Sequence, residues 1–237
     1  MRSPVVVVTG ASRGIGLALT EKFKKENWLI AGCAKSQTSS PYCDLSFACD
    51  VTDEAQVRAF AQATQKKFGQ IDVLINNAGL AGTTDMNPES PSDSWHSVLN
   101  TNLTSVFLMA KHFGPLLREQ TGRIISIASV LGLKGVPDQP AYCAAKHGVI
   151  GLTRSLAHYY APKRITVNAI CPGWVRTDMA QLRMTELNLS ETELKNGVPL
   201  GRFIEPHEVA EFAFFLSSPS ASMISGQALA IDGGVLT

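Results

Sequence analysis

Residues 5–16 read VVVVTGASRGIG, and the order of residue types in this stretch decides the fold. Val5–Thr9 is apolar and β-branched, so it reads as a strand buried on both faces. Gly10, Gly14 and Gly16 then permit a tight turn, and the periodic stretch Ile15–Glu26 reads as a helix. Glycines this dense can form a plain turn. Between a first strand and a first helix they also let backbone N–H groups approach a pyrophosphate at the positive helix end, with Ser12, Arg13 and Ile15 in the same turn. The alternation continues outward. Trp28–Ala34, Ser46–Cys49, Ile71–Ile75, Gly122–Ala128, Ile165–Ile170 and Gln227–Ile231 read as further strands. Glu54–Phe68, Asp93–Leu117, Ala141–Tyr160 and Pro206–Ser217 read as helices, the last opening on a proline that a first turn tolerates.

Several strands are nearly continuous in Val, Ile, Leu and Ala, so helices should cover both faces of the sheet. The expected fold is α/β: a Rossmann-type, doubly wound, seven-stranded parallel sheet with helices on both faces, in a single domain over 1–237. The 237-residue length suits one core. A net charge of +1, with 21 basic and 20 acidic residues, argues against nucleic acid as a partner. No apolar run approaches the roughly 18 residues of a membrane span. The apolar run at Pro4–Val8 begins after three residues, leaving no room for a leader; a soluble cytoplasmic protein is expected. The five cysteines form no CxxC pair and the five histidines no HxxxH spacing, so free thiols and no metal are expected.

Two stretches interrupt the rhythm. Residues 81–94 (AGTTDMNPESPSDS) read as a loop ending in a helix cap near Ser92. Thr177–Arg202 holds the short amphipathic pieces MAQLRM and ETELKN between a strand and a helix. An excursion that long inside one domain is expected to be functional, and 178–202 reads as a substrate lid.

The residue that selects the ribose should lie about 20 positions after the first glycines. A carboxylate there would accept from a free 2′-hydroxyl. This chain has Cys33-Ala34-Lys35 instead, so Lys35 and Arg13 are expected to converge on a 2′-phosphate and NADP(H) is the expected cofactor. Asp50-Val51 could receive an adenine amino group. Asn76-Asn77-Ala78-Gly79 places small residues where backbone passes close to a ribose, at a strand's carboxyl end. Either motif alone could be turn chemistry.

Tyr142 and Lys146, within YCAAK, lie at i and i+4 and share a helix face. A free phenol titrates at about 10, and a fixed positive charge nearby should pull it towards the working range. Ser129 stands 13 residues earlier, at the end of the strand Ile124–Ala128.

With these residues in place the chain resembles the short-chain dehydrogenase/reductase superfamily over essentially its whole length. TGASRGIG, CDVTD, NNAG, Asn102-Leu103, Ser129, YCAAK, Pro172-Gly173 with Thr177, and Asp232-Gly233-Gly234 occur in family order. NTNLTSVFL, GRIISIASVLGLKG and RITVNAICPGWVRTDM are most similar to the β-ketoacyl-acyl-carrier-protein (3-oxoacyl) reductases. The resemblance implies an NADPH-dependent reductase of fatty acid biosynthesis type, acting on a 3-oxoacyl thioester that is carrier-protein- or CoA-linked. It implies a catalytic tetrad of Asn102, Ser129, Tyr142 and Lys146. Tyr142 would protonate the alkoxide, Ser129 orient the carbonyl, Lys146 bind the nicotinamide ribose and lower the Tyr142 pKa, and Asn102 hold a water. Pro172, Gly173, the Val175 backbone and Thr177 would grip the carboxamide. A homotetramer or homodimer through Asp93–Leu117 and Ala141–Tyr160 is also implied.

Other readings stay open: an NAD(P)-dependent enzyme for another small alcohol, steroid or sugar-like ketone, or a non-catalytic NADP-binding regulatory protein. The chain departs from the carrier-protein reductases in three places. SQTSSPYCDLS is turn-rich where a helix is usual. Of two basic carrier-docking positions one aligns with Lys163, while the other is Thr121 with Arg118 the nearest substitute. The loop after NNAG carries Asp85, Pro88, Glu89 and Pro91. Cys143 should pack in the core or at a subunit contact, and Trp174 is either a pocket wall or a packing aromatic.

Overall fold

The computed structural model describes residues 2–36 and 40–237. Seven strands form one sheet in the order β3-β2-β1-β4-β5-β6-β7, every neighbouring pair parallel. They are β1 (Val5–Thr9), β2 (Leu29–Ala34), β3 (Leu45–Ala48), β4 (Val73–Asn76), β5 (Arg123–Ile127), β6 (Thr166–Pro172) and β7 (Ala228–Ile231). Strand order reverses between β1 and β4, the crevice where open α/β sheets bind ligands.

The opening strand shows why both faces are covered. Val5 and Val7 pack with Phe60, Met109 and Phe113, under α2 (Glu54–Phe68) and α4 (Ser105–Phe113). Val6 and Val8 pack with Leu19, Phe23 and Val209, under α1 (Gly14–Lys25) and α8 (Pro206–Ser217). The period-two alternation of a strand thus feeds two separate apolar layers, and all five residues of β1 are buried.

The expected helix Asp93–Leu117 is a correction. It divides into α3 (Asp93–Leu99), a π-helical turn Asn100–Thr104, α4, and a tight 3₁₀ turn Gly114–Leu116. In the π turn the Ser105 amide donates to the Asn100 carbonyl, and the Ser105 hydroxyl donates to the Thr101 carbonyl at 2.6 Å. Pro115 supplies no amide to continue α4. Gly114 is pressed against Tyr160, whose hydroxyl would overlap any Cβ placed there. Ser92 does precede α3, but its side chain makes no capping bond. Ile71 falls outside β4 and forms a lone bridge with Leu117.

The remaining helices follow the sequence closely. α5 runs Pro140–Tyr160, and the excursion after β6 folds as α6 (Asp178–Leu187) and α7 (Glu191–Asn196), the latter closed by a Ser190/Glu193 capping box. Residues 37–39 of the turn-rich stretch lie outside the described residues; from Ser40 to Asp44 the chain forms no helix. All five cysteines are free, and Cys143 is buried. Among the described residues no helix is long and apolar enough to cross a membrane, and no group of three metal-ligating side chains converges.

Candidate active site

Two loops at the carboxyl end of the sheet are stitched together before any ligand is considered. Asn77 donates through Nδ2 to the Thr9 and Gly10 carbonyls at 2.9 and 3.2 Å. The Thr9 hydroxyl accepts the Asn77 and Ala78 amides, each at 2.9 Å. Sequence reasoning places Thr9 and Asn77 within the glycine and ribose motifs but does not foresee that they bind each other's loops. A signal for them is nevertheless present: neighbouring residues at a strand end point to opposite faces, so Asn76 and Asn77 could not share a task. Asn76 turns inward, 3.4 Å from the Ser126 hydroxyl, and its Oδ1 has no partner among the described residues.

The glycine turn fits closely into this frame. Gly10 has φ of +65°, and a Cβ there would meet Ala78 Cα at 3.0 Å. A Cβ on Gly14 would stand 3.3 Å from Thr177 Cγ2, so the turn touches the start of the 178–202 excursion. No side chain caps α1 at Arg13, which leaves the N–H groups of its first turn directed outward. Gly79 is pressed against the Asn102 carboxamide, and Gly173 against Asp232, whose backbone neighbour Ile231 accepts the Gly173 amide at 3.0 Å.

Arg13 and Lys35 each stand beside a carboxylate of their own. Lys35 Nζ lies 2.8 Å from Asp50 Oδ2, and Arg13 lies 3.8 Å from Asp178. Asp50 also accepts the Thr52 amide and hydroxyl, and with the Lys35 ammonium these hold its carboxyl down at about 2. Ser12 lines a pocket with Gly32, Cys33, Ser36 and Cys43 between β2 and β3, and Val51 is buried.

Ser129, Tyr142 and Lys146 are brought together as expected. The Ser129 hydroxyl stands near enough to the Tyr142 phenol to favour its ionised form, and Ser129 Oγ accepts the Leu131 amide at 3.1 Å. Lys146 is buried, its Nζ donating to the Ile127 carbonyl at 2.9 Å and standing 5.4 Å from the Tyr142 ring centre. The expected lowering of the Tyr142 pKa is corrected. Burial pushes the phenol up to about 12, against the opposing pull of the Ser129 hydroxyl. Burial likewise pulls the Lys146 ammonium down to about 8.

The lysine shift has a consequence for stability. Between about pH 8 and 10.5 the unfolded chain holds this proton more tightly than the fold, so stability rises with pH there. Below pH 8 the full penalty is present. Lys146→Met is expected to raise stability at pH 7 by about 1–2 kcal/mol, once the loss of the Ile127 hydrogen bond is deducted, and to flatten that alkaline rise. Urea unfolding at pH 7 and pH 9.5 measures both.

The Asn102 side chain is fully engaged with backbone. It is buried in the π turn, and its Nδ2 donates to the Leu80 and Val98 carbonyls at 2.8 and 3.0 Å while Oδ1 accepts the Leu80 amide at 3.3 Å. Both amide donors are committed to backbone, so the side chain anchors the loop after β4 and has no N–H left for a water. Val175 pairs with Ile204, and Thr177 caps α6 at the Ala180 amide. Between them Arg176, absent from the expected site, grips Glu191 at 2.9 and 3.0 Å and Glu205 at 2.9 Å. Trp174 stacks on Phe203 at 5.8 Å, a packing aromatic at the base of the excursion.

An open parallel sheet with a glycine turn on its first strand and a hydroxyl pair beside a buried ammonium at its carboxyl edge defines an α/β oxidoreductase. The family model described as Enoyl-(Acyl carrier protein) reductase matches residues 10–236, and the chain belongs to the short-chain dehydrogenase/reductase superfamily. It is 41% identical to the granaticin polyketide synthase putative ketoacyl reductase 1 of Streptomyces violaceoruber, over 98% of this chain and 93% of that one. It is 35% identical to the 3-oxoacyl-[acyl-carrier-protein] reductase FabG of Vibrio cholerae, over 99% and 98%. Among solved structures it resembles a point variant of actinorhodin polyketide ketoreductase with NADPH (TM-score 0.93, 36% identity, covering 98% and 97%). It also resembles the aldohexose dehydrogenase of Thermoplasma acidophilum (TM-score 0.91, 33%, covering 99% and 94%).

Proposed function

We propose that the protein is an NADPH-dependent reductase converting a ketone to a secondary alcohol, with a 3-oxoacyl thioester as substrate. The observation that carries this reading is the Tyr142–Ser129 hydroxyl pair with Lys146 one helical turn along. The residues present suit a dinucleotide: α1 is uncapped, Gly10 and Gly16 allow close backbone approach, and Asn76 keeps an orphaned acceptor. Gly10, Ser12, Gly14, Ile15 and Gly16 would cradle the pyrophosphate, with Arg13 and Lys35 on the 2′-phosphate and Asp50 and Val51 on the adenine. Asn76, Ala78 and Gly79 would meet the ribose, and Pro172, Gly173, Val175 and Thr177 the carboxamide. When bound, the dinucleotide supplies the hydride.

A phenol held near 12 is protonated at neutral pH, so Tyr142 donates the proton that the carbonyl oxygen needs. Ser129 orients that oxygen and stabilises its developing charge. The Lys146 ammonium, still mostly charged at pH 7, favours the phenolate left behind and meets the ribose hydroxyls. Asn102 keeps the loop after β4 in place. Residues 178–202 act as the lid that excludes water.

The curated relatives named for ketoacyl reduction support the acyl substrate. Carrier docking draws no support from the surface, because Lys163 pairs with Glu119 and Arg118 with Asp72. The likeness to an aldohexose dehydrogenase favours a second reading, oxidation or reduction of a sugar-like substrate. Loss of reduced-nicotinamide absorbance, screened over acetoacetyl-CoA, a ketoacyl carrier protein, free ketones and aldohexoses, separates them. Turnover of sugars alone would overturn the acyl reading, and no turnover at all would leave an NADP-binding regulator.

Cofactor choice has its own expected result. Arg13→Ala with Lys35→Ala raises the KM for NADPH by about 10–100-fold, the worth of charged hydrogen bonds to one phosphate, while NADH is affected less than about twofold. Steady-state kinetics with both cofactors check it, and equal effects would count against the phosphate site. A homotetramer or homodimer through α4 and α5 is part of the proposal. Phe107 is 48% exposed on α4 and Gly151 on α5 faces open space; light scattering of the purified protein tests it.

A further inference from the structure

The inner face of α6 carries a charge where apolar packing would be ordinary. Ala180, Arg183 and Met184 are its buried residues, and the Arg183 side chain is only 10% exposed. Its guanidinium pairs with Asp138 and, at 2.8 Å, with Glu186 one turn along. Asp138 lies just before α5, four residues ahead of Tyr142 in the chain. The same residue's carbonyl accepts the Thr84 amide at 3.1 Å, and Gln139 Nε2 donates to the Gly82 carbonyl at 3.3 Å. Through Leu80 that loop is held by Asn102. Polar contacts and the short backbone stretches between them therefore connect the loop after β4 to the inner face of α6.

This joint is also imperfectly satisfied. The Thr84 hydroxyl is enclosed there and has no partner among the described residues, which costs free energy while the joint is shut and is recovered when it opens. Glu186 offers Arg183 a second carboxylate on its own helix, so the guanidinium stays paired if Asp138 is released. A buried cation with a second carboxylate partner can leave a joint that contains an unsatisfied hydroxyl without becoming an unpaired charge.

We propose that Asp138 and Arg183 form a releasable latch that closes the 178–202 segment over the substrate end of the site. Arg183 is a positioning residue for the ketone and not for the dinucleotide. Closing brings α6 against the turn that leads into the helix of Tyr142; opening admits substrate and exposes the Thr84 hydroxyl. The inference rests on the reading of 178–202 as a lid and of Tyr142 as the proton donor to a ketone.

The test compares the full-length protein with Arg183→Met, Arg183→Lys and the charge swap Asp138→Arg with Arg183→Asp. Arg183→Met should raise the ketone KM roughly tenfold and leave the NADPH KM within about twofold. Arg183→Lys should fall between, and the swap, made together with Glu186→Gln so that no second carboxylate repels the transposed one, should recover most of the loss, as a pairwise interaction requires. Amide hydrogen exchange on the protein alone should quicken about tenfold or more over 178–187 in Arg183→Met and not in α1 or β1. Unchanged exchange there, or an NADPH KM that rises as much as the ketone KM, overturns the latch. Should the wild-type protein reduce no ketone, the functional reading falls while the exchange comparison still decides the latch.

Discussion

Tyr142→Phe is expected to lower kcat for ketone reduction by about 10²–10⁴-fold, the range of a positioned general acid, with the KM for NADPH little changed. The phenol ring stays, so packing and fold are kept; only the hydroxyl beside Ser129 goes. The pH profile carries a second signature. Lys146 loses its charge at about 8 and the phenol is pushed up to about 12, so the reduction rate of the free enzyme should fall as pH rises through about 8. Its ammonium is needed to stabilise the phenolate left behind. A Tyr142→Phe enzyme with near-native turnover would end the proposed mechanism. A rate flat to pH 10 would remove Lys146 from it.

Gly16→Ala is the second large effect, and it acts on the dinucleotide end. An added Cβ would overlap the Gly10 carbonyl oxygen and lie 2.7 Å from Asn77 Nδ2. Neither neighbour is the loose end of a flexible chain: the Gly10 carbonyl is held by Asn77, and the Ala11 amide is bonded to the Cys33 carbonyl at 3.0 Å. The turn must open, at a cost of about 1–3 kcal/mol for overpacking, and NADPH binding should weaken by roughly 100-fold or more as the first turn of α1 moves away. Gly135→Ala is the matched control. No atom stands within 4 Å of its added Cβ, so melting temperature and NADPH affinity should change little. Thermal melts and NADPH titration by fluorescence check the pair.

These predictions draw on parts of the molecule that are unequally legible in the sequence. β1, α1 and the glycine turn can be read because their signals are local: a β-branched run, then glycines, then helical periodicity. Tyr142 and Lys146 share a face by helix geometry alone. The break in the long helix cannot be read, since Asn100–Thr104 is as helix-compatible as its flanks and the extra residue shows only in where the Ser105 amide bonds. The Lys35–Asp50 pair cannot be read because the two residues sit 15 positions apart on different strand ends, and sequence offers no ranking of rival carboxylates. Arg183 and Asp138, 45 positions apart, leave no pattern at all. The lysine–tyrosine relation is readable as proximity but not as energy: a charge at i+4 is visible in a string of letters, whereas the burial that outweighs it is not.

The turn at Asn100–Thr104 bears on how this chain tolerates length changes. It spends one residue more per turn than its flanks, so the two halves of the helix are clocked independently: α3 and Val98 against Ala141 and Ala145, α4 against β4 and α2. Removing a single residue there would restore a uniform spiral and keep both halves in phase, whereas removing one within α3 or α4 would turn the remainder of the helix by about 100°. Val98 or Phe113 would then swing out to solvent, so a one-residue deletion should be far less forgiving in either helix than in the π turn between them.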